Sequence, residues 1–324
     1  MRRLLHFLFR ALIAVVALAV VLVALFAYFA YTPSSPVPQL SGTLTKGTIT
    51  VAGLSRTYAT YVPRDLAKGA PLVVAMHGAG ENGARLRVET GYGFERVADE
   101  HGFAVVYPNA YEGYWDACTV VGAVSNSDDV GFLVALVDKL VGEIGVAPDR
   151  VFAVGSSRGG FMAFRLALEA PSRFRAVAAV SANVPSPENF KCKPAAQSTP
   201  SVLIMNGTDD PLVPFDGGSV SLLGVAYKLG KVRSSRESGQ YFADLNHITG
   251  PPERNETPVA GGVRVEELLW RNNSNVEVKL VAIHGGGHGI PQPYRRRPRL
   301  LGPSPTEPNG PEVIWAFFEH CIGG

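Results

Sequence analysis

The chain has little cysteine and little net charge. Its 324 residues include three cysteines, which lie too far apart for a C-x-x-C pair, so the usual zinc-binding and dithiol redox spacings are excluded. Basic residues outnumber acidic ones by two, and the most basic run is 295–299. Nucleic-acid-binding proteins concentrate positive charge on one face. We therefore expect no nucleic acid partner, and we interpret residues 295–299 as a solvated loop, with an anion-binding patch as the alternative.

Hydrophobic residues are abundant, at 46% of the chain against 18% charged, which is typical of a globular domain with an added apolar segment. Residues 11–31 form an uncharged apolar run preceded by Arg2, Arg3 and Arg10. A membrane-spanning helix needs roughly 20 apolar residues, whereas the apolar part of a cleavable signal has about 7 to 15. We predict a signal anchor within residues 1–35, with a cleaved signal peptide as the alternative.

The arginines before this run place the amino terminus in the cytoplasm, so the rest of the chain is predicted to be exported. Residues 32–39 are rich in proline and serine, which indicates a linker; we assign the linker to 36–46 and the folded domain to 47–324. Export permits a disulfide. We expect Cys118 to pair with Cys192, because both are predicted in loops after sheet strands; three free thiols are the alternative.

Short apolar runs and helical patterns alternate along the folded part, which predicts an α/β fold with a doubly wound, mostly parallel sheet. The buried strands are predicted at 72–76, 104–107, 151–154, 176–180 and 202–205. The helices between them are predicted at 86–100, 130–144 and 158–169. An antiparallel hairpin is predicted at 48–62, a late strand pair at 263–269 and 276–283, and a surface insertion at 250–262.

Residues 155–159, Gly-Ser-Ser-Arg-Gly, match G-x-S-x-G between a predicted strand and a predicted helix. This context indicates a nucleophile elbow, a tight turn that exposes a serine hydroxyl. Ser157 is therefore the predicted nucleophile. A serine needs a histidine to take its proton and an acid to orient that histidine.

The acid and the histidine are expected downstream, in loops that follow strands. Asp209 and Asp210 both fit the acid, while Asp128 and Asp129 precede a helix and are explained by capping. Among the histidines we favour His288, because it follows three glycines just past a strand; His284, at the end of that strand, is the alternative.

An oxyanion hole is expected from two backbone amides, that of Arg158 and one from the loop at 77–80. Ala79 is our choice for the second donor, with Gly80 as the alternative, and His77 is interpreted as structural. Residues 78–83 also match G-x-G-x-x-G, but the next strand ends without the acid that a dinucleotide site needs.

Three aromatic residues follow the second predicted parallel strand: Tyr111, Tyr114 and Trp115. We predict that they line the substrate pocket, with ordinary loop packing as the alternative. No residue pattern indicates a metal or an organic cofactor.

Four motifs, in this order, resemble the exported esterase family that groups polyhydroxybutyrate depolymerases with feruloyl esterases, within the α/β-hydrolases. They are the segments 72–78, 155–160, 207–214 and 285–288. The resemblance selects Asp210 over Asp209 and supports His288. It implies a cofactor-independent serine esterase that acts on small or oligomeric esters, of hydroxyalkanoate or of feruloyl or acetyl type, through an acyl-enzyme.

The chain departs from the family pattern at two site positions: asparagine is frequent where Arg158 stands, and a bulkier residue is frequent where Gly289 stands. These differences bear on which ester is accepted. Hydrolysis of an amide or thioester by the same triad is one alternative, which comparative rates would separate. A membrane-anchored, non-catalytic binding protein is the other, and it would leave Ser157 unlabelled by a fluorophosphonate.

Overall fold

The computed structural model describes residues 2–34, 36–122, 127–221, 230–258, 263–272 and 276–323. Its α-helices are α1 (Arg2–Ala30), α2 (Gly83–Glu89), α3 (Gly93–His101), α4 (Asp129–Ile144), α5 (Arg158–Glu169), α6 (Ser235–Leu245) and α7 (Gly310–Ile322).

Ten strands of the described residues form one sheet. Along the chain they are β1 (Thr43–Val51), β2 (Leu54–Val62), β3 (Leu72–Met76), β4 (Ala104–Pro108), β5 (Val151–Ser156), β6 (Ala176–Val180), β7 (Ser201–Gly207), β10 (Glu253–Pro258), β11 (Arg264–Arg271) and β12 (Glu277–His284). Between β7 and β10, β8 (Gly218–Ser219) pairs with β9 (Lys231–Val232) in a separate two-stranded ribbon.

The sheet order is β1-β2-β4-β3-β5-β6-β7-β12-β11-β10. The six central strands, from β4 to β12, are parallel, and antiparallel pairs close both edges. The predicted doubly wound sheet with an amino-terminal hairpin is therefore confirmed. Because the strands are parallel, the loops that follow β3, β5, β7 and β12 meet at one edge of the sheet.

Two hydrophobic clusters cover the two faces of the sheet. One cluster packs α4, α5 and α6 through residues such as Phe132, Phe164 and Phe242. The other packs α2, α3 and α7 through Phe94, Trp315 and other side chains. With helices on both faces, β3, β4 and β6 are buried along their whole length, which explains their uninterrupted apolar sequences.

Two predicted elements differ from the structure. The predicted helix at 86–100 is two helices, α2 and α3, because Gly91 and Tyr92 adopt positive φ angles of 60° and 59° between them. The predicted surface insertion at 250–262 contains β10, which extends the sheet by pairing with β11. Residues 259–262 of that segment lie outside the described residues. Hydrogen bonds to β11, rather than apolar content, make this polar segment a strand.

The acidic pair before α4 is divided between two roles. The Asp128 side chain accepts a hydrogen bond from the Gly131 amide (2.8 Å), which is the predicted cap. Asp129 instead forms a buried ion pair with Arg56 (2.6 Å), so capping accounts for one of the two residues.

Helix α1 is exposed along its length, and its most apolar 18-residue window has a mean hydropathy of 3.0. By length and composition it could cross a membrane. Its carboxyl end contacts the basic loop: Arg299 Nη1 donates to the Tyr28 carbonyl (3.1 Å), and Arg295 Nη2 donates to Thr32 Oγ1 (3.2 Å).

Cys118 and Cys192 form a disulfide, with their Cα atoms 5.0 Å apart, as expected from the sequence. The bridge ties the loop after β4 to the loop after β6. Cys321, in α7, is a buried free thiol.

Candidate active site

Ser157 lies at a sharp turn between β5 and α5. Its backbone has φ 54° and ψ −118°, a strained conformation for a residue other than glycine. Two close approaches make this turn possible: a Cβ atom at Gly155 would overlap the Gly159 carbonyl, and one at Gly159 would overlap the Met76 carbonyl. Ser157 is the N-cap residue of α5, yet its hydroxyl makes no capping hydrogen bond.

Asp210 and His288 are brought together from the loops after β7 and β12. His288 Nδ1 lies 2.8 Å from Asp210 Oδ2, and both side chains are buried. The other carboxylate oxygen, Oδ1, accepts hydrogen bonds from the amides of Leu212 (2.8 Å) and Val213 (2.9 Å). An ionised Asp210 accepts a hydrogen bond from the Nδ1–H group, so the neutral imidazole keeps Nε2 as an acceptor.

The two alternative residues lie elsewhere. Asp209 is exposed, and its carboxylate accepts a hydrogen bond from the neighbouring Thr208 hydroxyl (3.0 Å). His284 remains at the end of β12, where its Nε2 atom is 3.5 Å from Glu266 Oε2. The geometry therefore joins Asp210 with His288.

Ser157, His288 and Ala79 line one cavity of about 240 Å³. Apolar side chains form most of its wall: Leu86, Phe161, Leu212, Val213, Val220, Ile290 and Leu301. Arg158 begins α5, so its backbone amide has no acceptor within the helix. Of the two predicted amide donors, Ala79 thus lies in the cavity wall and Arg158 lies directly after Ser157.

A buried network beneath the cavity connects the loop after β3 with the elbow. The Ala110 amide donates to His77 Nε2 (3.0 Å), so His77 carries its proton on Nδ1 and donates it to the Gly78 carbonyl (2.7 Å). Burial lowers the pKa of His77 to about 4, which keeps the ring neutral. The Trp115 indole donates to the His77 carbonyl (3.0 Å), and Arg158 Nε donates to the Trp115 carbonyl (2.6 Å).

In this network His77 has the structural role expected for it. The Arg158 side chain links the elbow to the loop that carries Trp115, a role that its sequence context did not indicate. It also changes the interpretation of the aromatic residues. Trp115 is completely buried and stacks near Phe132 (6.5 Å between ring centroids), so it supports the site from below. Neither Tyr111 nor Tyr114 is among the residues that line this cavity; Tyr111 is exposed, and the Tyr114 ring lies 6.0 Å from the Arg158 guanidinium.

Three charged residues of the cavity wall were not predicted as site residues: Arg297, Glu81 and Glu89. Arg297, expected in a solvated loop, is buried and faces the cavity. Glu81 accepts a hydrogen bond from the Gly78 amide (3.1 Å), and burial, followed by repulsion from Glu89, raises its pKa to about 7. The available signals were the basic run at 295–299, for Arg297, and the position of Glu81 beside the predicted oxyanion loop.

Within the described residues, one cluster has metal-ligating side chains: Glu100, His101 and Glu312, whose ligand atoms lie within 4.8 Å of one another. It lies where α3 meets α7, and none of its members lines the cavity. His101 is also 3.6 Å from Glu312, an ion pair that accounts for the cluster when the imidazole is protonated.

The fold and the comparisons with known proteins define a carboxylic ester hydrolase of the α/β-hydrolase class. Acetyl xylan esterase from Aspergillus awamori superposes with a TM-score of 0.55 at 17% identity, over 76% of this chain and 94% of that chain, a similarity of fold. In sequence, the chain belongs to the family described as esterase PHB depolymerase, whose profile matches residues 56–217.

Two curated relatives extend the match over most of the chain. "Putative esterase NocK" of Nocardia uniformis subsp. tsuyamanensis is 32% identical over 287 residues, which cover 84% of this chain and 81% of that protein. "Probable feruloyl esterase C" of Aspergillus terreus is 30% identical over 297 residues, covering 88% and 93% respectively.

Proposed function

We propose that this carboxylic ester hydrolase is an exported enzyme that works through an acyl-enzyme on Ser157. The observation that carries the proposal is the contact between His288 Nδ1 and Asp210 Oδ2 (2.8 Å), at the edge of a cavity that also contains a strained serine without a capping bond. Such a histidine is held in one tautomer with Nε2 available for a hydroxyl proton.

In this mechanism His288 takes the proton of Ser157 as the hydroxyl attacks the ester carbonyl. Asp210 orients the imidazole and stabilises its charged form, and the amides of Arg158 and Ala79 donate to the developing oxyanion. His288 then protonates the departing alcohol. Water, activated by the same imidazole, releases the acid and restores the serine.

The proposed substrates are small or oligomeric esters of hydroxyalkanoate, feruloyl or acetyl type. The mostly apolar wall of the cavity suits an acyl or aryl group, and its volume suits a small ester or the end of an oligomer. Two of the relatives are named as probable feruloyl esterases, which supports a feruloyl-type ester. Export is proposed from α1, which has the length and composition of a signal anchor or signal peptide.

The test is a panel of p-nitrophenyl acyl esters, hydroxybutyrate oligomers and methyl ferulate, with a thioester and a peptide for comparison. We expect ester hydrolysis with a burst of p-nitrophenol, and a loss of several powers of ten in kcat in Ser157→Ala. A fluorophosphonate should modify Ser157 and leave Ser156 unmodified. Undiminished ester hydrolysis by Ser157→Ala would overturn the proposal.

A further inference from the structure

Arg297 is an unusually buried cation for a loop residue. It is 8% exposed, although its neighbour Arg296 is exposed, and it lines the cavity that contains Ser157 and His288. Burial lowers its pKa to about 10, so the guanidinium remains charged at neutral pH. Removing a charged group from water costs several kcal/mol unless a partner compensates it. The buried charge of Arg297 therefore requires a compensating group.

The described residues leave part of this guanidinium unpaired. Neither Nε nor Nη1 of Arg297 has a hydrogen-bond acceptor there, although both atoms are buried. Arginine carries five donor hydrogens, and a buried cation normally directs them at carboxylates or carbonyls. Both atoms have almost no accessible surface, so a ligand in the cavity would reach the guanidinium through Nη2, which is not among these enclosed atoms.

The nearby carboxylates are already engaged. Asp210 and Glu89 both attract the Arg297 charge. Asp210 contacts His288 through one oxygen and accepts two amide hydrogens with the other. Glu89 pairs with Arg85 at 2.5 Å. These two acids provide long-range compensation, and neither accepts a hydrogen bond from Nε or Nη1 of Arg297.

The Arg297 guanidinium occupies the space that a side chain at Gly289, the residue after His288, would otherwise fill. Gly289 follows His288 directly, and a Cβ atom there would overlap Nη1 of Arg297. Gly289 also has φ 113°, a conformation that side-chain-bearing residues rarely adopt. The glycine thus allows a cation to lie against the backbone of the residue that follows His288, in the cavity wall.

We infer that Arg297 binds a carboxylate of the substrate, and that the enzyme prefers esters carrying an anionic group over their neutral counterparts. A carboxylate is the acceptor that forms strong, charge-assisted hydrogen bonds with a guanidinium. The apolar side chains that line the same cavity would hold the carbon chain that separates the ester from the anion. This inference deepens the proposed function and rests on it.

The test uses two matched pairs of esters. Mono-4-nitrophenyl adipate and its methyl ester differ in a carboxylate on the acyl side, and 4-acetoxybenzoate and its methyl ester differ in one on the alcohol side. We expect the wild type to have a kcat/KM at least about 10-fold higher for the anionic member of one pair, the usual effect of a hydrogen bond to a charged group. The pair that responds tells which side of the ester faces Arg297.

Arg297→Met keeps an apolar stem and removes the charge, so it should lower the anionic-to-neutral ratio of kcat/KM by about 10- to 100-fold. Arg297→Lys should retain part of the preference. Arg296→Met is the matched control, because it removes an exposed charge from the same loop and should leave the ratio unchanged. Circular dichroism and thermal unfolding report on folding of each variant.

Two results would overturn the inference while leaving the proposed function intact. One is a wild type that hydrolyses neutral and anionic esters equally, through Ser157. The other is a folded Arg297→Met variant that loses activity on both members of a pair to the same extent, which would make Arg297 a positioning residue for Asp210 and His288. Hydrolysis that persists in Ser157→Ala would instead contradict the proposed function.

Discussion

Two adjacent aspartates, Asp209 and Asp210, differ completely in environment. Asp210 is buried against His288, whereas Asp209 is exposed beside Thr208. We predict that Asp210→Asn lowers kcat by about 10³- to 10⁴-fold, because an amide at this position favours the wrong imidazole tautomer. The measurement is steady-state kinetics on p-nitrophenyl butyrate.

Asp209→Asn provides the control for this experiment, since it makes the same chemical change one residue away. Its kcat should remain within about twofold of the wild type, as is usual for a surface substitution. Equal losses in the two variants would contradict the assignment of Asp210 as the orienting acid.

Glu81 makes stability depend on pH in a direction opposite to that of most paired acids. Its pKa is raised from the usual 4.5 to about 7, by burial and then by Glu89, while the Gly78 amide and Arg85 act in the opposite sense. Between these values the folded state binds more protons than the unfolded state, so this residue's contribution to stability is lost as pH rises from about 4.5 to 7.

We therefore predict that Glu81→Gln, which cannot ionise, becomes more stable relative to the wild type as pH increases. The gain in free energy of unfolding between pH 4.5 and 8 should be on the order of 2 kcal/mol. Urea unfolding at several pH values measures it, with the exposed Glu112→Gln as a control that keeps the wild-type profile. A constant difference between Glu81→Gln and wild type across this range would contradict the raised pKa.

At the residue scale, sequence patterns identified the site residues that lie within recognisable motifs. Ser157 and His288 lie in glycine-rich motifs whose local geometry is itself informative. The sequence signals at Arg297 and Glu81, a basic run and a neighbouring oxyanion loop, do not indicate burial, because that burial results from loops that meet only in the folded protein. Gly289, noted as a departure from the family pattern, is explained by the Arg297 guanidinium.

At the scale of elements, the central strands were predictable because both faces of each strand are buried, which requires an apolar residue at every position. The division between α2 and α3 was not, because Tyr92 adopts a positive φ that its residue type does not favour. Strand β10 was missed for a different reason. It is exposed throughout and depends on backbone pairing with β11 rather than on a hydrophobic pattern.

The disulfide links two loops 74 residues apart in sequence. A cross-link that closes a loop of this size restricts the unfolded chain and usually contributes about 2–4 kcal/mol to stability. We predict that replacing Cys118 and Cys192 together by serine lowers the free energy of unfolding by this amount, as measured by thermal and denaturant unfolding.

Reductant distinguishes the bridge from other effects of the substitutions. It should destabilise the wild type and leave the double variant unchanged, because Cys321 is a free thiol in both. A wild type whose unfolding is insensitive to complete reduction would contradict a stabilising role for the bridge.

At the scale of the whole molecule, α1 and the enzyme domain are separable in packing. Helix α1 has no buried residue; Tyr28 within it and Thr32 just after it accept hydrogen bonds from the basic loop at 295–299. We predict that a chain lacking residues 1–31 is soluble and hydrolyses p-nitrophenyl butyrate with kcat/KM within about threefold of the full chain, since single surface contacts of this kind contribute little.

Fractionation of cells that express the full chain with a carboxyl-terminal tag tests the anchor itself. Recovery of the full-length protein in the membrane fraction is expected, with release by detergent and not by salt. A shortened product in the soluble fraction would instead identify a cleaved signal peptide.

Strand β10 affects whether copies of the protein aggregate by pairing the edges of their sheets. Among the described strands it is the last one at its edge of the sheet, and an open edge can pair with the same edge of another molecule. Here Glu253, Arg254 and Glu256 are exposed along it and form ion pairs with β11, and Pro258 ends it without an amide hydrogen. Charge and proline together oppose edge-to-edge aggregation, so this polar segment protects the fold's solubility at high local concentration.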